Sequence, residues 1–170
     1  MKILLTNDDG FEAPGIVQLY ESLKDKYEVF FLAPKENMSG KGSAITVWDQ
    51  PSFQNHGNGI HSLNGTPVDC VKYAINFYCP FIPDLVVSGI NPGPNLGTDI
   101  LLSGTVGAAL EGRNLKYPSI AVSVASFEIT DYGFAANIVK VILNKINKLN
   151  LDSSSILNLN VPDHKKFKNP

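Results

Sequence analysis

The sequence predicts an α/β fold: a doubly wound, largely parallel, Rossmann-like sheet with a small β-hairpin extension. Three observations predict it. Apolar runs of strand length alternate with helical stretches along the 170 residues. The first of these, residues 2–34, form a βαβ unit, whose strands run parallel through a right-handed crossover. Polar, glycine-bearing segments follow the strands, where open α/β sheets bind their ligands.

Taken in order, "KILLT" at 2–6 is a buried strand. Ala13-Pro14-Gly15 opens a helix, with Pro14 in the first turn, where its missing N–H costs nothing. Ile16, Leu19, Tyr20 and Leu23 form one apolar face. "YEVFFLAP", 27–34, is the second strand, stopped by Pro34, and "KENMSGKGS", 35–43, is a loop. "AITVW" and "GIHSL", flanking a tip at "HGNG", read as an antiparallel hairpin. Thr66, Pro67 and Asp69 make a capping-box start for a helix over 66–78. "DLVVSGI", 84–90, is a strand, a glycine-rich loop runs to Thr105, and "VGAALEGR" is a short helix packed through small residues. "PSIAVSV", 118–124, is another strand. Phe134, Ile138, Val141, Ile142 and Leu149 mark a long amphipathic helix, and "SILNLNVP", 155–162, is the last strand before a lysine-bearing tail.

The bulk properties fit one domain spanning 1–170. The chain is 44% hydrophobic and 18% charged, with a net charge of −2. That balance argues against a nucleic-acid binder, which needs a basic face to neutralise phosphates. Cys70 and Cys79 are too few for a zinc site or disulfide framework and read as reduced core thiols. No apolar run approaches the ~20 residues of a membrane helix, and no signal peptide is visible, so a soluble cytoplasmic protein without membrane partners is expected. Trp48, Tyr73 and Phe77 read as core or pocket wall.

Three polar clusters fall at strand ends: Asn7-Asp8-Asp9, Asn37 to Ser43, and Ser88 to Thr105. The fold brings them to one rim. Asp8 and Asp9 are adjacent anions, and a hard divalent cation with oxygen ligands offsets their repulsion, Mg²⁺ or Mn²⁺ rather than zinc. The same pair also reads as a helix N-cap group and a solvated turn residue, and the residues alone leave both open. Ser103-Gly104-Thr105 opens a helix whose free N–H groups can hold a phosphate, or Ser103 and Thr105 simply cap it. Asn91 and Asn95 read as ligands or as amides that staple the loop. The loop is neither a dinucleotide fingerprint nor a P-loop, and no G-x-S-x-G elbow occurs. His56 and His61 lie in the hairpin and His164 in the tail, so no histidine of the rim is available as general acid.

In order, "ILLTNDDGFEAPGI", "APKENMSGKGSAIT", "GTPVDCV", "DLVVSGINPGPNLGTDILLSGTVGAALEGR" and "PSIAVS" resemble the SurE (survival protein E) family. The resemblance runs from residue 1 to about 162. It implies a metal-dependent phosphatase acting on nucleoside 5′- and 3′-monophosphates, with one divalent ion per subunit. Carried over by motif, the metal ligands are Asp8, Asp9, Ser39 and Asn91. Ser103, Gly104 and Thr105 match the phosphate site, and Asn95 matches a pocket residue. One of the two aspartates also serves as base or nucleophile, which one staying open. An aspartyl-nucleophile phosphatase is the rival enzyme, although such enzymes place their aspartates two residues apart. A nucleotide-binding module without turnover is the non-enzymatic rival. The family continues past the strand matching "LNLNVP" into a hairpin arm and a helix exchanged between subunits. The resemblance therefore implies a homodimer or homotetramer of a longer polypeptide, and the 170 residues lack those elements.

Overall fold

The computed structural model describes residues 1–163; the tail at 164–170, with His164, lies outside the described residues. Seven strands form one sheet: β1 (Lys2–Thr6), β2 (Glu28–Pro34), β3 (Phe53–Asn55), β4 (Ile60–Leu63), β5 (Leu85–Pro92), β6 (Ser119–Val124) and β7 (Ile156–Val161). Their spatial order is β3-β4-β2-β1-β5-β6-β7. All neighbours are parallel except β3 and β4. The chain winds outward from β1 through β2 to β4, then returns to β1's other side with β5. The β1/β5 boundary is therefore the topological switch point, where the loops diverge and leave a crevice.

Four helices cover the sheet: α1 (Pro14–Leu23) and α4 (Gly133–Lys145) on one face, α2 (Pro67–Tyr73) and α3 (Gly104–Glu111) on the other. Strand alternation divides the core in two. Ile3, Leu5, Phe31, Val87, Ile120 and Val122 meet Ile16, Leu19, Leu23, Val139 and Leu143 on the α1/α4 side. Leu4, Leu32 and Val86 meet Cys70, Val71 and Ala108 on the other. Both helices that flank the switch point seat closely through glycine. A Cβ at Gly15 would lie 2.0 Å from the Ile90 carbonyl oxygen, and one at Gly107 would lie 2.5 Å from the Gly42 carbonyl oxygen.

Several expectations are corrected. Residues 44–48 form no strand; the antiparallel partner of β4 is Phe53–Asn55, and β4 itself joins the main sheet beside β2. Ile45, Val47 and Trp48 all project outward, Trp48 at 95% exposure, so this apolar stretch has no core to face. The local backbone is engaged instead by Asp69, whose carboxylate accepts from the Thr46 N–H and hydroxyl. Phe77 is also exposed, in a π-helical turn, Ala74–Tyr78, that ends the helix expected over 66–78. Tyr73 is half-buried against the second core. On α4 the buried stripe is Ala135, Ala136, Val139 and Leu143; Phe134 and Val141 face outward. The Thr66/Asp69 capping box forms as read.

Candidate active site

β1 ends at the switch point and the chain turns sharply through Asn7–Gly10. The Asn7 side-chain amide donates to the Gly10 carbonyl at 2.8 Å, and Gly10 takes a φ of +106°, a region costly for any residue with a Cβ. The turn is tied to the β2 loop: the Met38 N–H donates to the Asp8 carbonyl at 2.7 Å and the Phe11 N–H to the Pro34 carbonyl at 2.9 Å. The 35–43 loop is tied in turn to the start of α3 by the Gly42 N–H, which donates to the Leu102 carbonyl at 3.0 Å. Three segments distant in sequence are thus locked into one rim by their backbones.

A cavity of about 250 Å³ opens on the α3 side of that rim, lined by Asp8, Ser39, Asn91, Asn95, Asp99 and Ser103, with Phe127 at its edge. Asp9 does not line it. Asp9 borders a second cavity of about 250 Å³ on the α1/α4 side, with Ile90, Pro92, Ile129, Tyr132 and, again, Phe127. Both carboxylates lie in the turn beyond β1, and the charge of Asp8 still reaches Asp9.

Asp8 is 3% exposed. The Thr105 hydroxyl donates to its Oδ1 at 2.5 Å. Burial pushes the Asp8 carboxyl above the ordinary range, while the Thr105 hydroxyl and the backbone amides of Thr105 and Gly104 pull against that rise. A Cβ on Gly104 would lie 2.8 Å from Asp8 Cβ and 2.9 Å from its Oδ2. Gly104 therefore lets the first turn of α3 sit directly against this carboxylate, and a bulky residue there would press on Asp8 itself. Asp9 differs. Burial, and then the charge of Asp8, push its carboxyl up to about 7. Its Oδ2 is buried with no hydrogen-bond partner among the described residues. Tyr132 feels the same charge: burial and Asp9 both raise its phenol.

The remaining polar residues are fixed from behind. Ser103 caps α3, its hydroxyl accepting from the Val106 N–H at 3.1 Å. Asn91 turns its amide nitrogen back onto the carbonyls of Pro92 and Gly93, at 3.1 and 2.8 Å, which leaves Oδ1 as its outward donor atom. Asn95 staples the loop: its amide nitrogen donates to Ser123 Oγ at 2.8 Å, and its backbone is gripped by Asn158 and Asn160 of β7. The sequence reading missed Ser123, Asn158 and Asn160. The alternation in "LNLNV" was the available signal, since it places both asparagines on one side of β7. Thr105 as a partner of Asp8, and Phe127 and Tyr132 as cavity walls, were missed as well; no local pattern marks them. Cys70 is buried in the core, which raises its thiol well above the ordinary value. His56 and His61 line neither cavity; they stack on Phe11 and Phe30.

Among the described residues, no group of three or more His, Cys, Asp and Glu side chains is placed to hold a metal ion. Two carboxylates with hydroxyl and amide oxygens are a different donor set, one suited to hard cations. The unpartnered Asp9 Oδ2 and the freed Asn91 Oδ1 are consistent with it.

Residues 3–169 match the family model described as "Survival protein SurE". The chain belongs to the SurE family. It is 47% identical over 163 residues to a protein of Marinobacter nauticus named 5′-nucleotidase SurE, a match covering 96% of this chain and 64% of that one. A Legionella pneumophila protein of the same name matches at 47%, over 96% and 65%. The crystal structure of a SurE protein from Aquifex aeolicus superposes with a TM-score of 0.89 at 38% identity, covering 99% of this chain and 69% of that one. The chain spans just under two thirds of the length of the curated relatives it matches. No helix among the described residues is long and apolar enough to cross a membrane.

Proposed function

We propose that the protein is a metal-dependent phosphomonoesterase that hydrolyses nucleoside 5′- and 3′-monophosphates to nucleoside and phosphate. The observation that carries this reading is the switch-point cavity that gathers Asp8, Ser39, Asn91, Asn95 and Ser103 beside an aspartate with an unpartnered buried oxygen. The name 5′-nucleotidase borne by the relatives supports the substrate class.

Asp8, Asp9, Ser39 and Asn91 would hold one Mg²⁺ or Mn²⁺ ion. When bound, the ion supplies Lewis acidity toward the phosphoryl group and lowers the pKa of an attacking water. The protein's own part is orientation. Thr105 fixes the rotation of the Asp8 carboxylate, and the backbone contacts of Asn91 fix its oxygen. At the amino end of α3, Ser103 lines the cavity while the Gly104 and Thr105 amides face Asp8, so the helix's positive partial charge lies beside the site where phosphoryl oxygens would gather charge. Asp8 or Asp9 also takes the proton of the attacking water. A cytoplasmic location and a homodimeric or homotetrameric assembly accompany this proposal.

The test is phosphate release from a panel of nucleoside monophosphates. Turnover should require Mg²⁺ or Mn²⁺, vanish in excess chelator and return when the ion is restored. Full turnover in chelator would defeat the metal assignment. Absence of release from every nucleotide with either ion would defeat the enzymatic one.

A further inference from the structure

Neither cavity alone suits a nucleotide. Each holds about 250 Å³, and small-molecule sites run to roughly 300–1,000 Å³. The pair together reaches that range. Their chemistry is complementary. One is lined by carboxylates, a serine pair and amides; the other is walled by Ile90, Pro92, Ile129 and Tyr132 and opens at Asp9. Asp8 lines the polar cavity and its chain neighbour Asp9 the apolar one, and both cavities reach Phe127.

Phe127 is the wall they share. Phe127 is 81% exposed. The backbone beneath it is anchored: the Gly93 N–H donates to the Ser126 carbonyl at 2.8 Å and to the Val124 carbonyl at 3.0 Å. The ring edge lies directly over Gly93, where a Cβ would come within 2.3 Å of it. Gly93 takes a φ of +98°, so both its conformation and its missing side chain serve the fit. The result is an aromatic face held at the mouth of a site and open to a ligand.

We infer that the substrate spans both cavities, its phosphoryl group in the polar one and the flat ring of its leaving group in the apolar one, stacked on Phe127. This extends the phosphomonoesterase reading and rests on it. It assigns Phe127 as a specificity-determining residue: it selects monoesters whose alcohol carries a planar base over those whose alcohol is a bare sugar. Tyr132, whose side chain carries a hydroxyl, lines the apolar cavity.

The experiment compares AMP with ribose 5-phosphate, the same ester without the base, on the parent protein, Phe127→Ala and Phe127→Trp. For Phe127→Ala, KM for AMP should rise about 10-fold, the scale of one lost base–aromatic stack, with kcat within about twofold. KM for ribose 5-phosphate should not move, and Phe127→Trp should keep the parent's KM for AMP. Equal changes for both substrates, or none for either, would overturn the inference while leaving the phosphomonoesterase reading in place. Release of phosphate by the parent from neither substrate overturns that reading and this extension with it.

Discussion

Asp8 and Asp9 are the same residue type, one peptide apart, yet they occupy different worlds. Asp8 faces the α3 side, where small residues let a helix start close against it, and its carboxylate is bonded by Thr105 and faced by two backbone amides. Asp9 faces the α1/α4 side, where the neighbours are Ile90, Pro92 and Tyr132 and one oxygen has no partner among the described residues. The turn that follows β1 separates them. The lesson is a division of labour: one carboxylate is positioned by the scaffold, and the other is left with capacity for something the scaffold does not supply.

Substitutions can break that contrast, and Asp8→Asn should do so most completely. It keeps the shape and removes the positioned charge, so phosphate release should fall at least ~100-fold with the circular dichroism unchanged. A rate within a few-fold of the parent would make Asp8 a turn residue only. Thr105→Val tests positioning without touching a proposed ligand. Mn²⁺ affinity by calorimetry should weaken about 10-fold, the scale of losing a partner that orients a ligand, and Thr105→Ser should restore it. Equal affinity in the valine variant would show that Asp8 needs no orienting bond.

The Asp9 side is read by pH. In excess chelator the folded chain keeps the Asp9 proton up to about 7, whereas the unfolded chain releases it near 3.8. The folded state thus binds more protons across that window, so this group's contribution lowers stability as pH rises from about 4 to about 7. Asp9→Asn should flatten that slope in thermal melts, and added Mg²⁺ should stabilise the parent more at about pH 8 than at about pH 5. Parallel pH slopes in parent and variant would show that Asp9 carries no such burden. Gly104→Ala is a smaller perturbation, pressing a methyl on Asp8; it should cost about 1–3 kcal/mol in urea unfolding. The smallest effect belongs to Trp48→Ala, outside both cavities and 95% exposed, which should shift stability by no more than about 0.5 kcal/mol.

The contrast also shows what a sequence displays and what it hides. Local signals sufficed where the cause is local. The spacing of Ile16, Leu19, Tyr20 and Leu23 placed the buried face of α1, and Thr66 with Asp69 placed the start of α2. Strand ends followed by polar residues pointed to the rim that now holds Asp8, Ser39, Asn91, Asn95 and Ser103. Local signals failed where the deciding partner is remote. "AITVW" has strand chemistry, but the sheet edge beside β4 was taken by Phe53–Asn55, and Trp48 was left in solvent. Thr105 reaches Asp8 across 97 positions of sequence, and nothing near either residue announces the bond. Nothing in the sequence around Phe127 marks it, because its place depends on Gly93 and on two cavities that only the folded chain forms.

The grip of β7 on the Asn95 loop has a consequence in time. The carbonyl and N–H of Asn95 are held by residues 63 and 65 positions downstream. A ribosome adding roughly 5–20 residues per second therefore delivers Asn158 and Asn160 roughly 3–13 s after Asn95. Through that interval the Asn95 N–H and carbonyl have water rather than β7 as their partner. The Asn95 loop is thus set in place by β7, the last strand among the described residues.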